Sequence, residues 1–292
     1  MSFKDEAKKH QINYCLGHNQ SEIREGKRVG RAQSHWLNEK AAKAGKNFYS
    51  DYVFKKVIEY RGNKNDIPEW FYDTLRSQHI SFNFFIPLIK GTELNKAVWK
   101  ELLGINISTI GDLKIEYPSS LENPLKDRTS FDAFILYTNT EKESGILGIE
   151  VKYTEGGYSP TNTERELIDK PDSIYYSTTR KSGLYNLESC NIDDVKSNCL
   201  RQNKNRQIWR NHLLAFTFAE KNKIKHFHSI TLYHEGNTHF KNTFNTYLTD
   251  DGKNSLKAIT FSKFCKALNR HATKDLKESW VNYLVNRYKI DA

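Results

Sequence analysis

The sequence predicts an α/β protein, a mixed sheet served by helices and extended by further helices at both ends. Three observations carry this. Apolar runs bounded by turn residues recur at 112–117, 130–137 and 145–153. A polar connection, a helical stretch and a fourth strand-like run, Phe227–Tyr233, follow them. Helix-spaced apolar residues dominate the rest.

From the N-terminus, residues 1–65 read as basic and helical. Ser21 to Gly26 offers a helical turn that breaks, and Ala32 to Ala44 reads as helix until Gly45. Phe48, Tyr52, Val53 and Ile58 recur at near-helical spacing. The polar stretch Arg61 to Asp66, followed by Pro68, marks a soft boundary. Domains are therefore expected at 1–65 and 66–292. Glu69 to Phe84 predicts a helix running into an aromatic stretch closed by Pro87. Thr92 is placed to cap a helix over Glu93–Leu103, ended by Gly104. After the three strands, residues 154–195 form a long polar connection without evident structure, the kind that is usually functional or mobile. Lys196 to Lys221 predicts one long helix, and Phe261 to Tyr288 a helical tail.

The composition narrows the function classes. Aromatics at 13% argue against disorder. The opening Met-Ser-Phe-Lys-Asp-Glu is no signal peptide, and the most apolar runs, Phe82–Ile89 and His212–Ala219, are too short to cross a membrane. A cytoplasmic protein is expected, with Cys15, Cys190, Cys199 and Cys265 as scattered reduced thiols. The net charge of +10 is uneven: residues 1–65 carry +7 and residues 196–228 another +7, which leaves −4 elsewhere. Basic flanks around an acidic centre suit a chain that neutralises phosphates and holds a divalent cation.

The acidic centre carries the chemistry. Asp132 sits between Phe131 and Ala133 in an apolar strand, where a lone carboxylate is costly unless paired, hydrogen-bonded or metal-bound. Glu150 and Lys152 repeat the anomaly on the next strand. Being two apart, they share a face, whereas Ile149 and Val151 face the other way. The short connection Thr138–Ser144 fits an antiparallel hairpin, which would bring Asp132 toward Glu150. Two carboxylates and a lysine at one sheet end suit phosphodiester hydrolysis: a cation polarises the phosphate and a bound water, and the lysine orients the water or stabilises charge.

The texts Ser130-Phe-Asp-Ala-Phe and Gly148-Ile-Glu-Val-Lys-Tyr-Thr-Glu155, in that element order, resemble the PD-(D/E)XK nuclease superfamily, in its bacterial restriction-endonuclease-like branch. The resemblance covers about residues 92–234, with Ser130-Phe131 where the name-giving proline would stand. It implies a restriction-endonuclease-like αβββαβ core and an Mg²⁺-dependent nuclease, with Mn²⁺ substituting. Asp132 and Glu150 would be metal ligands beside the Val151 backbone carbonyl, with Lys152 the catalytic lysine. Gln207 would support the site, and Arg206 and Arg210 would contact nucleic acid. Glu93 and Glu155 are further acids; Glu155 reaches the site only if its strand bends.

The expected substrate is DNA, duplex favoured, cut by an endonuclease of restriction or phage-defence type, with a homodimer able to address both strands. One alternative is an RNA or single-strand nuclease, with Tyr175, Tyr176 and Tyr185 stacking on bases. Another is a non-catalytic nucleic-acid-binding module on the same fold.

Overall fold

A computed structural model describes residues 1–18, 35–62, 66–119, 121–157, 160–241 and 246–291. The expected turn at Ser21–Gly26 and the start of the Ala32–Ala44 helix lie outside the described residues. Among the described residues six helices come first: α1 (Phe3–His18), α2 (Glu39–Lys43), α3 (Asp51–Arg61), α4 (Glu69–Tyr72), α5 (Ser77–Lys90) and α6 (Thr92–Leu103). Three strands follow, β1 (Ile107–Tyr117), β2 (Phe131–Asn139) and β3 (Ser144–Lys152). Then come α7 (Asn162–Ile168), α8 (Ile174–Ser182), α9 (Leu187–Cys190), α10 (Arg206–Lys221), β4 (His226–Tyr233), α11 (Asp250–Ser255) and β5 (Leu256–Thr260). The tail is α12 (Phe261–His271), α13 (Lys274–Leu276) and α14 (Asn282–Tyr288).

The chain divides into two compact units. The first comprises Met1–Gly104, His234–Gly236 and Thr260–Ala292; the second comprises Ile105–Tyr233 and Asn237–Ile259. The division thus falls at Gly104, not near residue 65, and α6 belongs with the helical unit. There α6 packs on α12, with the Trp99 and Phe264 rings 5.7 Å apart. Gly104 ends α6 with φ +73°, a left-handed conformation that costs glycine little.

The helix expected over Glu69–Phe84 is two helices, and the aromatic run beyond it stays helical through Pro87. A proline there cannot donate to the carbonyl four residues back, that of Asn83. Trp280 Nε1 donates to that carbonyl instead, at 2.8 Å, so the missing bond is replaced. Phe48, Trp70, Phe71 and Phe82 fill the neighbouring core.

The second unit is built on a five-stranded mixed sheet in the order β1-β2-β3-β4-β5. β1, β2 and β3 form an antiparallel meander; β3 and β4 run parallel, so the chain must cross over between them, and α10 lies in that crossover. β3 is buried along nearly its whole length, as a strand covered on both faces requires. Gly148 is needed for close packing: a Cβ there would meet the Phe131 ring at 2.4 Å.

Among its described residues, the connection expected to lack structure holds three helices. Thr161 and Glu164 form a reciprocal capping box that starts α7. Tyr175 and Tyr176 are buried against Trp209, with ring centroids 5.6 and 5.8 Å away, and Tyr185 is buried with its hydroxyl 2.8 Å from His212 Nδ1. The expectation that these tyrosines stack on bases is therefore corrected: their faces serve the core. The long helix begins at Arg206, not Lys196, because a 3-10 turn at Cys199–Arg201 precedes it. β5 carries too short a run to stand out in the sequence. All four cysteines are free, and no helix among the described residues is long and apolar enough to cross a membrane.

Candidate active site

Three strands bring three carboxylates into one row. The pairs Ile115↔Ala133 and Tyr117↔Phe131 set Glu116 opposite Asp132. The end of the β2–β3 ladder, Ala133↔Ile149, sets Asp132 opposite Glu150. Asp132 Oδ2 accepts the Val151 N–H at 2.6 Å, so the side chain continues the ladder where the backbone pairing stops. A strand residue points its N–H and C=O to the same side, so the Val151 carbonyl also faces Asp132.

Glu150 and Lys152 are each 7% exposed. Lys152 Nζ lies 2.7 Å from Glu150 Oε1. From α10, Gln207 Nε2 donates to the same oxygen, and Asn211 Nδ2 donates to Oε2 at 2.8 Å. Gln207 and Asn211 stand four apart, so one helix face presents both amides to one carboxylate. Burial is the largest influence on Asp132; with the neighbouring charges of Glu150 and Glu116 it pushes the Asp132 carboxyl well above the usual carboxylate range, against Lys152 and the Val151 N–H. Burial disfavours the Lys152 ammonium most, yet Glu150, Asp132 and Glu155 outweigh it and hold its pKa above the usual lysine value. Glu155 exerts that influence because the chain bends after β3. Its carboxylate accepts the Tyr153 N–H at 2.9 Å, while Asn237 Nδ2 holds the Tyr153 and Glu155 carbonyls at 3.0 and 2.7 Å.

Among the described residues no three His, Cys, Asp or Glu side chains are arranged to hold a metal by themselves. The donor set still suits one divalent cation. Two carboxylates and a carbonyl are oxygen donors, as Mg²⁺ prefers, with waters completing the shell. Asp132 Oδ1 makes no hydrogen bond among the described residues, and the crowding of negative charge on Asp132 is what a cation relieves.

The remaining predicted residues fall elsewhere. Arg210 and Arg206, expected to face nucleic acid, are 4% and 6% exposed. Arg210 pairs with Asp127 at 3.1 Å and Glu164 at 2.7 Å, and Arg206 donates to the Arg201 carbonyl at 2.6 Å. Both are turned into the unit by carboxylates and carbonyls that sequence spacing did not reveal. Glu93, on α6, is exposed and bound to Lys96 at 2.8 Å. Two residues escaped the sequence reading. Asn211 had a signal, its spacing of four from Gln207. Glu116 had one also: it ends an alternating strand next to Tyr117-Pro118, where only pairing register reveals its neighbour.

The profile of the PD-(D/E)XK nuclease superfamily matches residues 2–290. No curated protein and no solved structure matches the chain. With a mixed sheet of the expected order and a match spanning nearly its whole length, the chain belongs to the PD-(D/E)XK nuclease superfamily, whose members are generally nucleases that use divalent metal ions.

Proposed function

We propose that this protein is an Mg²⁺-dependent endonuclease that hydrolyses phosphodiester bonds of DNA, with duplex as the favoured substrate. The observation that carries this reading is the placement of Asp132 opposite Glu150, with the Lys152 ammonium on the Glu150 carboxylate. Asp132, Glu150 and the Val151 carbonyl would hold the cation, and Mn²⁺ would substitute for Mg²⁺. Bound there, the cation supplies Lewis acidity toward a phosphate oxygen and a bound water. Lys152 orients the attacking water and balances charge developing on the phosphate. Gln207 and Asn211 keep the Glu150 carboxylate in one orientation, so little reorganisation remains when substrate arrives.

A duplex is favoured over a single strand because Tyr175, Tyr176 and Tyr185, the candidates for stacking on unpaired bases, are buried. The test is nicking of supercoiled plasmid in Mg²⁺ by the wild type, Asp132→Asn and Lys152→Ala, with single-stranded DNA and RNA in parallel. Cleavage by the wild type alone, strongest on plasmid, supports the reading. Equal cleavage by all three proteins would sink it, and faster cleavage of RNA would move the substrate.

A further inference from the structure

Helix α10 reaches β3 and the segment that leads into β2, through different side chains. Gln207 and Asn211 hold Glu150 on β3. Arg210, between them in sequence, holds the segment that leads into β2. Its Nη2 donates to Asp127 Oδ2 at 3.1 Å and to Thr129 Oγ1, and its Nη1 to Glu164 Oε1 at 2.7 Å. Asp127 lies five residues before Asp132 and is itself fixed on every side. Asn123 Nδ2 donates to Oδ1 at 2.7 Å and the Thr129 N–H at 2.8 Å; Thr129 Oγ1 donates to Oδ2 at 2.7 Å, and so does the Tyr175 hydroxyl. Asn123 also donates to the Thr129 carbonyl at 2.7 Å.

Burying such a pair is a poor route to stability, since apolar residues of similar volume often do as well or better. What an arginine fork adds is fixed geometry between segments distant in sequence. Here one segment is the entry to β2 and the other is the helix that orients Glu150.

We propose that Arg210 is a positioning residue, which clamps Asp127 and Thr129 to α10 and thereby sets where Asp132 lies opposite Glu150. The functional side of this inference rests on the reading of Asp132 and Glu150 as carboxylates that share a cation. The geometric side has its own reporter, the Val151 amide, whose hydrogen goes to Asp132 Oδ2.

The experiment measures amide hydrogen exchange at Val151, relative to the Ile149 amide, in the full chain as wild type, Asp127→Asn and Glu164→Gln. Titration with Mn²⁺ alone by calorimetry is run beside it. Losing a charge-assisted contact in Asp127→Asn is expected to speed Val151 exchange selectively by about tenfold and to weaken Mn²⁺ binding by a similar factor. Glu164→Gln removes the charge of the arm to α7 while keeping an oxygen for the α7 capping box, and is expected to leave both within about twofold. Unchanged relative exchange at Val151 in Asp127→Asn overturns the proposal, as does a Glu164→Gln effect as large. If Asp127→Asn does not fold, Thr129→Val removes the hydroxyl's bonds to Arg210 and Asp127 and is held to the same criterion, with a smaller shift. Mn²⁺ binding that survives Asp132→Asn would count against the metal site itself, whereas Val151 exchange still reports on the clamp.

Discussion

The two units are similar in length and unlike in charge. The helical unit carries 25 Lys/Arg against 16 Asp/Glu, a net of +9; the sheet unit carries 20 against 19, a net of +1. Read along the chain, residues 196–228 looked like a second basic arm. In the fold the three arginines of this stretch meet partners within their own unit: Arg201 meets Asp169, Arg206 the Arg201 carbonyl, and Arg210 Asp127 and Glu164, while its five lysines stay exposed. Lys4, Lys8 and Lys9 on α1, and Lys263 and Lys266 on α12, are exposed as well, in the unit that carries most of the net charge. A run of like charge in sequence is a surface patch only if folding leaves it unpartnered. On the proposed reading, chemistry would belong to the sheet unit and electrostatic grip to the helical one.

The strongest way to break that assignment is Lys152→Ala. It is expected to lower the cleavage rate by about 10²- to 10³-fold with little change in DNA affinity, measured by single-turnover kinetics and filter binding. A parallel loss of affinity would mean that the sheet unit also holds the substrate. Next comes the triple change of Lys4, Lys8 and Lys9 to Gln. The slope of log affinity against log salt is expected to fall by roughly 2–3, since each phosphate contact contributes about 0.9. Cleavage at saturating DNA should hold, and an unchanged slope would remove α1 from the grip.

Gly148→Ala probes the sheet alone. The added Cβ meets the Phe131 ring at 2.4 Å, so overpacking should cost about 1–3 kcal/mol, seen as a lower Tm. The smallest effect is expected from Arg201→Ala. Its partner Asp169 is well exposed, so stability should shift by less than about 1 kcal/mol, and DNA affinity should stay within error. A clear loss of affinity would restore residues 196–228 as a binding surface.

How much of this was legible in the sequence depends on the range of the interaction. The hairpin that carries Asp132, Glu150 and Lys152 is local, and alternation alone assigns their faces. Gln207 could be singled out as a polar residue on the following helix. The burial of Arg210 could not: its acceptors, Asp127 and Glu164, lie 83 and 46 residues away, and nothing in an arginine's own neighbourhood marks it as internal. The same holds for Tyr175 and Tyr176, which read as a polar loop until Trp209 is folded against them. Pro87 misled for a related reason, because the donor that replaces its missing N–H is Trp280, far along the chain.

The hairpin also leads us to expect an order of assembly. The Asp132–Val151 bond closes a separation of 19 residues, whereas Asn211 reaches Glu150 over 61 and Arg210 reaches Asp127 over 83. Longer closures cost more chain entropy and join a folding nucleus later. During folding Asp132 and Glu150 are therefore expected to meet with Lys152 and the Val151 N–H offsetting their repulsion, before α10 brings its amides and guanidinium. The site is drawn by the hairpin and finished by the helix. Lesions in α10 should accordingly speed unfolding more than they slow folding, while lesions in β2 and β3 should do the reverse.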